Sequence, residues 1–234
     1  MMRATGKPSS RAVGTARRAT GLLALAGVPL SAHGAGQYEV EDAGLISPYS
    51  VTSEIWHSDK DEATHLNFTG RHAGPWQATI EAASERAAPR EAYAFEGRWV
   101  PLQLDRDGYG LGVFGGAEYD SADEEVAEYQ ARAIGTIEPL PGRAVVHGNL
   151  GAVHDDDESE TDPFWGVATE AVIHGPIEGV AEVFGVDDDD PTWQVGLRAS
   201  IFDGQATVDA SWIEDEEVGD DGWAFGVGIE PIRF

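Results

Sequence analysis

The sequence contains no cysteine. Disulfide frameworks, thiolate metal sites and thiol nucleophiles are excluded together. Basic residues are scarce: 15 Lys+Arg stand against 42 Asp+Glu, a formal net charge of −27. A surface of that sign repels phosphate backbones, which excludes nucleic acid as a partner. Beyond residue 35 there is no run of about 18 apolar residues, so no helix is expected to cross a membrane. No segment carries a 3.6-residue apolar stripe either. Glycine, by contrast, is plentiful at 29 of 234 residues, with 7 Trp and a hydrophobic fraction of 41%. That fraction excludes wholesale disorder.

Residues 1–35 read as a secretory signal peptide. Arg3, Lys7, Arg11, Arg17 and Arg18 form an acid-free basic start, Gly21 to Leu30 is a short apolar run, and Ser31-Ala32-His33-Gly34-Ala35 offers small residues for cleavage. The cut is expected between Ala32 and Gln37. Residues 36–50 read as an ordered or semi-ordered periplasmic lead-in, and 51–234 as a single β domain with no second domain.

That domain alternates with period two in twelve segments: 51–57, 63–70, 76–83, 91–100, 108–118, 126–137, 143–154, 164–173, 177–186, 192–202, 205–213 and 222–230. Turn formers separate them, as in Ala73-Gly74-Pro75, Pro139-Leu140-Pro141-Gly142 and His174-Gly175-Pro176. A ten-stranded variant is the nearest alternative count. Parity sorts the faces. Trp193, Val195, Leu197, Ala199 and Ile201 oppose Gln194, Gly196, Arg198 and Ser200; Trp223, Phe225, Val227 and Ile229 oppose Ala224, Gly226, Gly228 and Glu230. The second face is small or charged nearly everywhere. Alternation alone fits both the lipid-facing band of a barrel and the buried face of a sandwich.

Two features favour the membrane. Trp165, Trp193, Trp212 and Trp223 gather at one set of segment ends and Trp76 and Trp99 at the other. Aromatic girdles of this kind suit the two headgroup layers. The connections also differ by side. Alternate ones carry acids, such as Asp120, Asp123, Glu124 and Glu125, Asp155 to Glu158, Asp187 to Asp190, and Glu214 to Glu217. The others are short, Pro/Gly-rich and nearly neutral. Short periplasmic turns and longer exterior loops follow the same division.

A signal peptide, twelve alternating segments, an aromatic rim and the terminal Phe234 together resemble Gram-negative outer-membrane β-barrels. The lead-in Tyr38-Glu39-Val40-Glu41-Asp42-Ala43-Gly44 resembles the start of a group of small, mostly uncharacterised bacterial barrels. The resemblance implies an all-β, up-and-down antiparallel transmembrane β-barrel of twelve strands in the cell outer membrane. Counting back from Phe234 by twos places Glu230 with the outward set, so the last strand is expected to end or bulge near Pro231.

The expected lumen lining is Glu96, Arg98, Glu128, Arg132, His147, Glu170, Glu182, Arg198, Asp209 and Glu230. Carboxylates and guanidiniums in a narrow lumen are expected to pair. Arg198 is expected to bridge Glu182 and Asp209 on the neighbouring strands. A surplus of acids over bases favours cations. The functional expectation is a narrow passive channel for small cationic or neutral solutes, or an occluded structural barrel. The rival is a soluble periplasmic acidic β-protein that binds a ligand or divalent ion. No catalytic role, metal site or cofactor is expected. His147, Ser200, Ser211 and Asp209 share the inner face without a G-x-S-x-G or comparable spacing. The Asp runs lack an EF-hand loop. The expected partners are outer-membrane lipid and lipopolysaccharide, with divalent cations at the acidic loops.

Overall fold

The computed structural model describes residues 37–60, 62–85, 91–156, 159–187, 190–215 and 220–234. The expected signal peptide lies outside them. Twelve strands run β1 (Ser50–Ser58), β2 (Ala63–Arg71), β3 (Trp76–Glu85), β4 (Glu91–Leu102), β5 (Tyr109–Asp120), β6 (Glu125–Leu140), β7 (Ala144–Asp155), β8 (Glu160–His174), β9 (Ile177–Val186), β10 (Thr192–Ile201), β11 (Ala206–Asp215) and β12 (Asp220–Arg233). Each pairs antiparallel with its sequence neighbours, and β1 pairs with β12. The sheet therefore closes on itself and leaves no free edge.

Alternation sets the two faces. Side chains at successive strand positions point to opposite sides of a sheet. The bulky apolar set turns outward: Phe95 is 62% exposed, Leu150 69% and Val195 52%. Leu66, Phe68, Ile80, Tyr93, Leu111, Val113, Val167, Leu197, Phe225 and Val227 are exposed with them. Exposure of so many large apolar groups around a whole circumference is unfavourable in water and favourable in hydrocarbon. This overturns the soluble alternative, because a soluble β-protein would turn these residues into a common core. Trp76 packs against Trp99 at the neutral end, with ring centroids 5.8 Å apart. Trp212 meets Trp223 edge-on at 5.2 Å near the acidic end.

The two ends are built differently. The neutral end has tight turns, where Gly142 (φ 66) and Gly175 (φ 56) take the left-handed backbone that a Cβ disfavours. The β4–β5 connection holds a one-turn helix, α1 (Leu104–Asp107). There the Arg106 guanidinium, hydrogen-bonded to Asp107, holds that carboxyl below its usual range. At the acidic end, β5 and β6 are joined by residues 121–124, among them Asp123 and Glu124.

The expected irregularity near the C-terminus is present. β1 and β12 pair Val51 with Ile232 but Ser53 with Ile229, so the register shifts across Glu230-Pro231. One extra residue resets the parity. Ile229 and Ile232 are consequently both exposed, as is the terminal Phe234. Thr52 donates its hydroxyl to the Ile229 carbonyl beside the bulge.

The lead-in departs most from expectation. Residues 37–49 do not form a separate periplasmic segment. They run inside the barrel, from beside β10 to the foot of β1, and Tyr49 joins the barrel's neutral rim by accepting from the Phe234 N–H and donating to the His72 carbonyl. The reason is polar satisfaction. Backbone outside a sheet carries unpaired N–H and C=O groups, and the inner wall supplies partners for them.

Candidate functional site

The lumen is crossed by the lead-in segment, which divides it. Toward the neutral end, Ala43 packs against Val100, Phe114 and Ile134, with Leu45 beside them. Ala43, Val100 and Ile134 are wholly buried, so this cluster is an apolar floor. Above it, toward the acidic loops, lies a cavity of about 540 Å³. Its lining includes Glu39, Glu41 and Asp42 of the segment and Glu54, Glu81, Glu96, Glu118 and Glu128 of the wall. Lys60, near its mouth, is tied to Asp215 at 2.8 Å.

The wall holds the segment chiefly through side chains. Glu182 accepts from the backbone N–H groups of Glu39 and Val40, each at 3.0 Å. Asn149 accepts from Glu41 N–H at 2.8 Å and donates to the Glu41 carbonyl at 2.7 Å. Thr136 Oγ1 accepts from Ala43 N–H, and Gln77 accepts from Ile46 N–H, both at 2.8 Å. Gln194 donates to the Gln37 carbonyl at 3.0 Å. Charge pairs add to this. Arg98 binds Glu41 and, at 2.8 Å, Asp42. Arg132 pairs with Glu39 and donates to its carbonyl at 2.8 Å, while its guanidinium lies 3.7 Å from the centre of the Phe164 ring.

The expected lining residues all sit on inward positions, except that the Glu230 side chain lies outside the described set. Glu96 and Glu128 border the cavity. His147 is buried against Thr136, 2.9 Å from Nδ1 to Oγ1. Arg98 and Arg132 find their carboxylates on the segment rather than on the wall. Arg198 is 1% exposed and does bridge two carboxylates, but they are Asp209 at 2.8 Å and Glu170 at 3.1 Å. The expected Glu182 partner is displaced by register: Arg198 lies opposite Glu178, and Glu182 lies opposite Gln194. Glu182 is thereby left to hold the segment backbone. Asp209 is engaged by Arg198, and Ser211 accepts from Gln194, so neither is gathered with His147. Among the described residues no three His, Asp or Glu side chains converge as a metal set.

One inward histidine, His65, lies outside the expected lining. His65 faces the lumen, stacks on the buried Trp56 at 4.6 Å and lies 2.9 Å from Glu81. The signal was available, because Leu66 and Phe68 fix the outward parity of β2.

No family model matches the chain, and no curated protein matches it. Solved structures do. A KdgM porin in complex with disordered oligogalacturonate aligns with a TM-score of 0.64 at 10% identity, over 77% of this chain and 98% of that one. A NanC porin aligns at 0.59 and 8% identity, over 77% and 99%. The Acinetobacter baumannii outer-membrane protein Omp33 aligns at 0.53 and 10% identity, over 80% and 99%. The fold is that of the small porin-like outer-membrane β-barrels.

Proposed function

We propose that the chain is a narrow passive outer-membrane channel for small cationic or neutral solutes, restricted by its own lead-in segment. The observation that carries this reading is the acid-lined cavity above the segment. Its two inner guanidiniums, Arg98 and Arg132, are already neutralised by Glu39, Glu41 and Asp42. The lining of the cavity holds eleven acidic side chains against Lys60, Arg98 and Arg132, so it keeps a formal surplus of negative charge. A lumen of that sign concentrates cations and repels anions. The acidic loops support the same preference at the mouth, and they suit divalent ions that bridge to lipopolysaccharide phosphates.

The apolar floor of Ala43, Val100, Phe114 and Ile134 supports a second reading, an occluded structural barrel. Planar-bilayer recording of the purified protein under a salt gradient separates them. The channel reading predicts small unitary currents with a reversal potential displaced toward the cation equilibrium potential. Anion selectivity overturns it. Absence of any current assigns the occluded barrel instead.

A further inference from the structure

We infer that the inner wall is a peptide-binding site, and that residues 37–46 are its tethered occupant. The ligand class is a short acidic peptide held mainly through its backbone. The inference rests on how the wall is built and does not require that the barrel conduct.

Three independent features of the wall point to a peptide. The first is backbone recognition. Five N–H groups of the segment, at Glu39, Val40, Glu41, Ala43 and Ile46, donate to wall side chains drawn from β9, β7, β6 and β3. Carbonyls at Gln37, Glu39, Glu41, Asp42 and Ile46 accept from Gln194, Arg132, Asn149, Arg98 and Arg71. The Asn149 side-chain amide both accepts from the N–H and donates to the carbonyl of Glu41, so it matches the donor and acceptor of one residue's backbone.

The second feature is space. Wall glycines lie under Gln37, Val40 and Ala43 of the segment. A Cβ on Gly166 would come within 2.7 Å of Val40, one on Gly110 within 2.9 Å of Ala43, and one on Gly226 within 3.0 Å of Gln37. At these three positions the tightest contact is with the segment rather than with the wall itself. The inner face is thus carved to the shape of a peptide that is not part of the sheet. Barrel closure gives no reason for glycine there.

The third feature is charge. Along the segment, Arg132 meets the carboxylate of Glu39, and Arg98 meets those of Glu41 and Asp42. The occupant is held by non-covalent contacts alone and is joined to the wall only at Ser50. A separate peptide of the same chemistry meets the same partners.

The test uses a barrel lacking residues 37–46, with folding verified by its heat-modifiable gel band. The probe is a dye-labelled decapeptide of the sequence QYEVEDAGLI, followed by fluorescence anisotropy in detergent. Saturable binding is expected, at least about tenfold weaker for a scrambled peptide of the same composition. Gly166→Val in the same barrel is expected to abolish it. Equal binding of both peptides, or none to a folded barrel, overturns the inference.

The full-length chain gives a second readout should the shortened one not fold. It has no cysteine, so a single Tyr38→Cys reports the position of the segment. Its reaction with a membrane-impermeant maleimide is expected to be slow, and at least about tenfold faster when Gly166→Val wedges Val40 out of its groove. Equal rates overturn the inference independently of any current measurement.

Discussion

Arg198 and Arg132 are both inward and both almost wholly buried, yet they are satisfied in different ways. Arg198 is closed on itself by the wall, with Asp209 on β11 and Glu170 on β8. Arg132 reaches off the wall to Glu39 of the lead-in segment, a side chain 43% exposed. Removing Arg198 strands two buried carboxylates side by side. Removing Arg132 strands one carboxylate that already sees solvent. The first pair is part of the barrel's architecture. The second, with Arg98, is a latch on something the barrel contains.

This contrast orders the expected effects of substitution. Arg198→Ala is the most damaging, because breaking one partner out of a buried charge group costs about 3–5 kcal/mol and leaves Glu170 and Asp209 in mutual repulsion. The measurement is the temperature at which the folded band is lost on a gel. An unchanged temperature would remove Arg198 from the architecture. Arg132→Ala is expected to cost less, about 1.5–3 kcal/mol for hydrogen bonds to a charged group. Its more telling consequence is local: limited proteolysis should cut within 37–46 while the barrel stays intact. Resistance equal to wild type would contradict the latch. Trp212→Ala removes one ring of an edge-on pair and is expected to cost about 1 kcal/mol beyond lost area, read by the same thermal assay without any change in segment protection. Lys60→Ala breaks a partly exposed ion pair to Asp215 and is expected to change stability by about 0–1 kcal/mol. A loss as large as that for Arg198→Ala would show the mouth to be structural as well.

The same contrast explains what the sequence disclosed. Strands are periodic objects, and all twelve were legible from alternation. β9 (Ile177–Val186) begins and ends where the pattern does. β8 starts at Glu160 rather than 164, because Asp162 and Pro163 carry no apolar period yet still pair with β7. β12 continues through Pro231 to Arg233, which the break in parity near Phe234 already signalled. The inward placement of Arg98, Arg132 and Arg198 followed from parity, whereas the identity of their partners did not. Which carboxylate faces Arg198 depends on strand register, and register is invisible to a period-two pattern because every even shift preserves it.

The lead-in was illegible for a stronger reason. Tyr38-Glu39-Val40-Glu41 alternates over only four residues, too few to mark an element, and the segment's partners lie on strands as distant in sequence as Glu182 and Gln194. One trace of it is present in the composition of the wall. Gly110, Gly166 and Gly226 make the inner face small at the points where the segment passes, and that smallness was visible before its purpose was.

The most direct test of the account compares the unitary conductance of the wild-type protein in a planar bilayer with that of the Arg98→Ala, Arg132→Ala double variant. These two guanidiniums supply the ion pairs that help the hydrogen bonds hold the segment across the lumen, so the variant should pass several times the wild-type current, with cation selectivity retained by the acid-rich lining. Identical conductance in a folded variant would contradict the claim that the lead-in segment restricts the barrel.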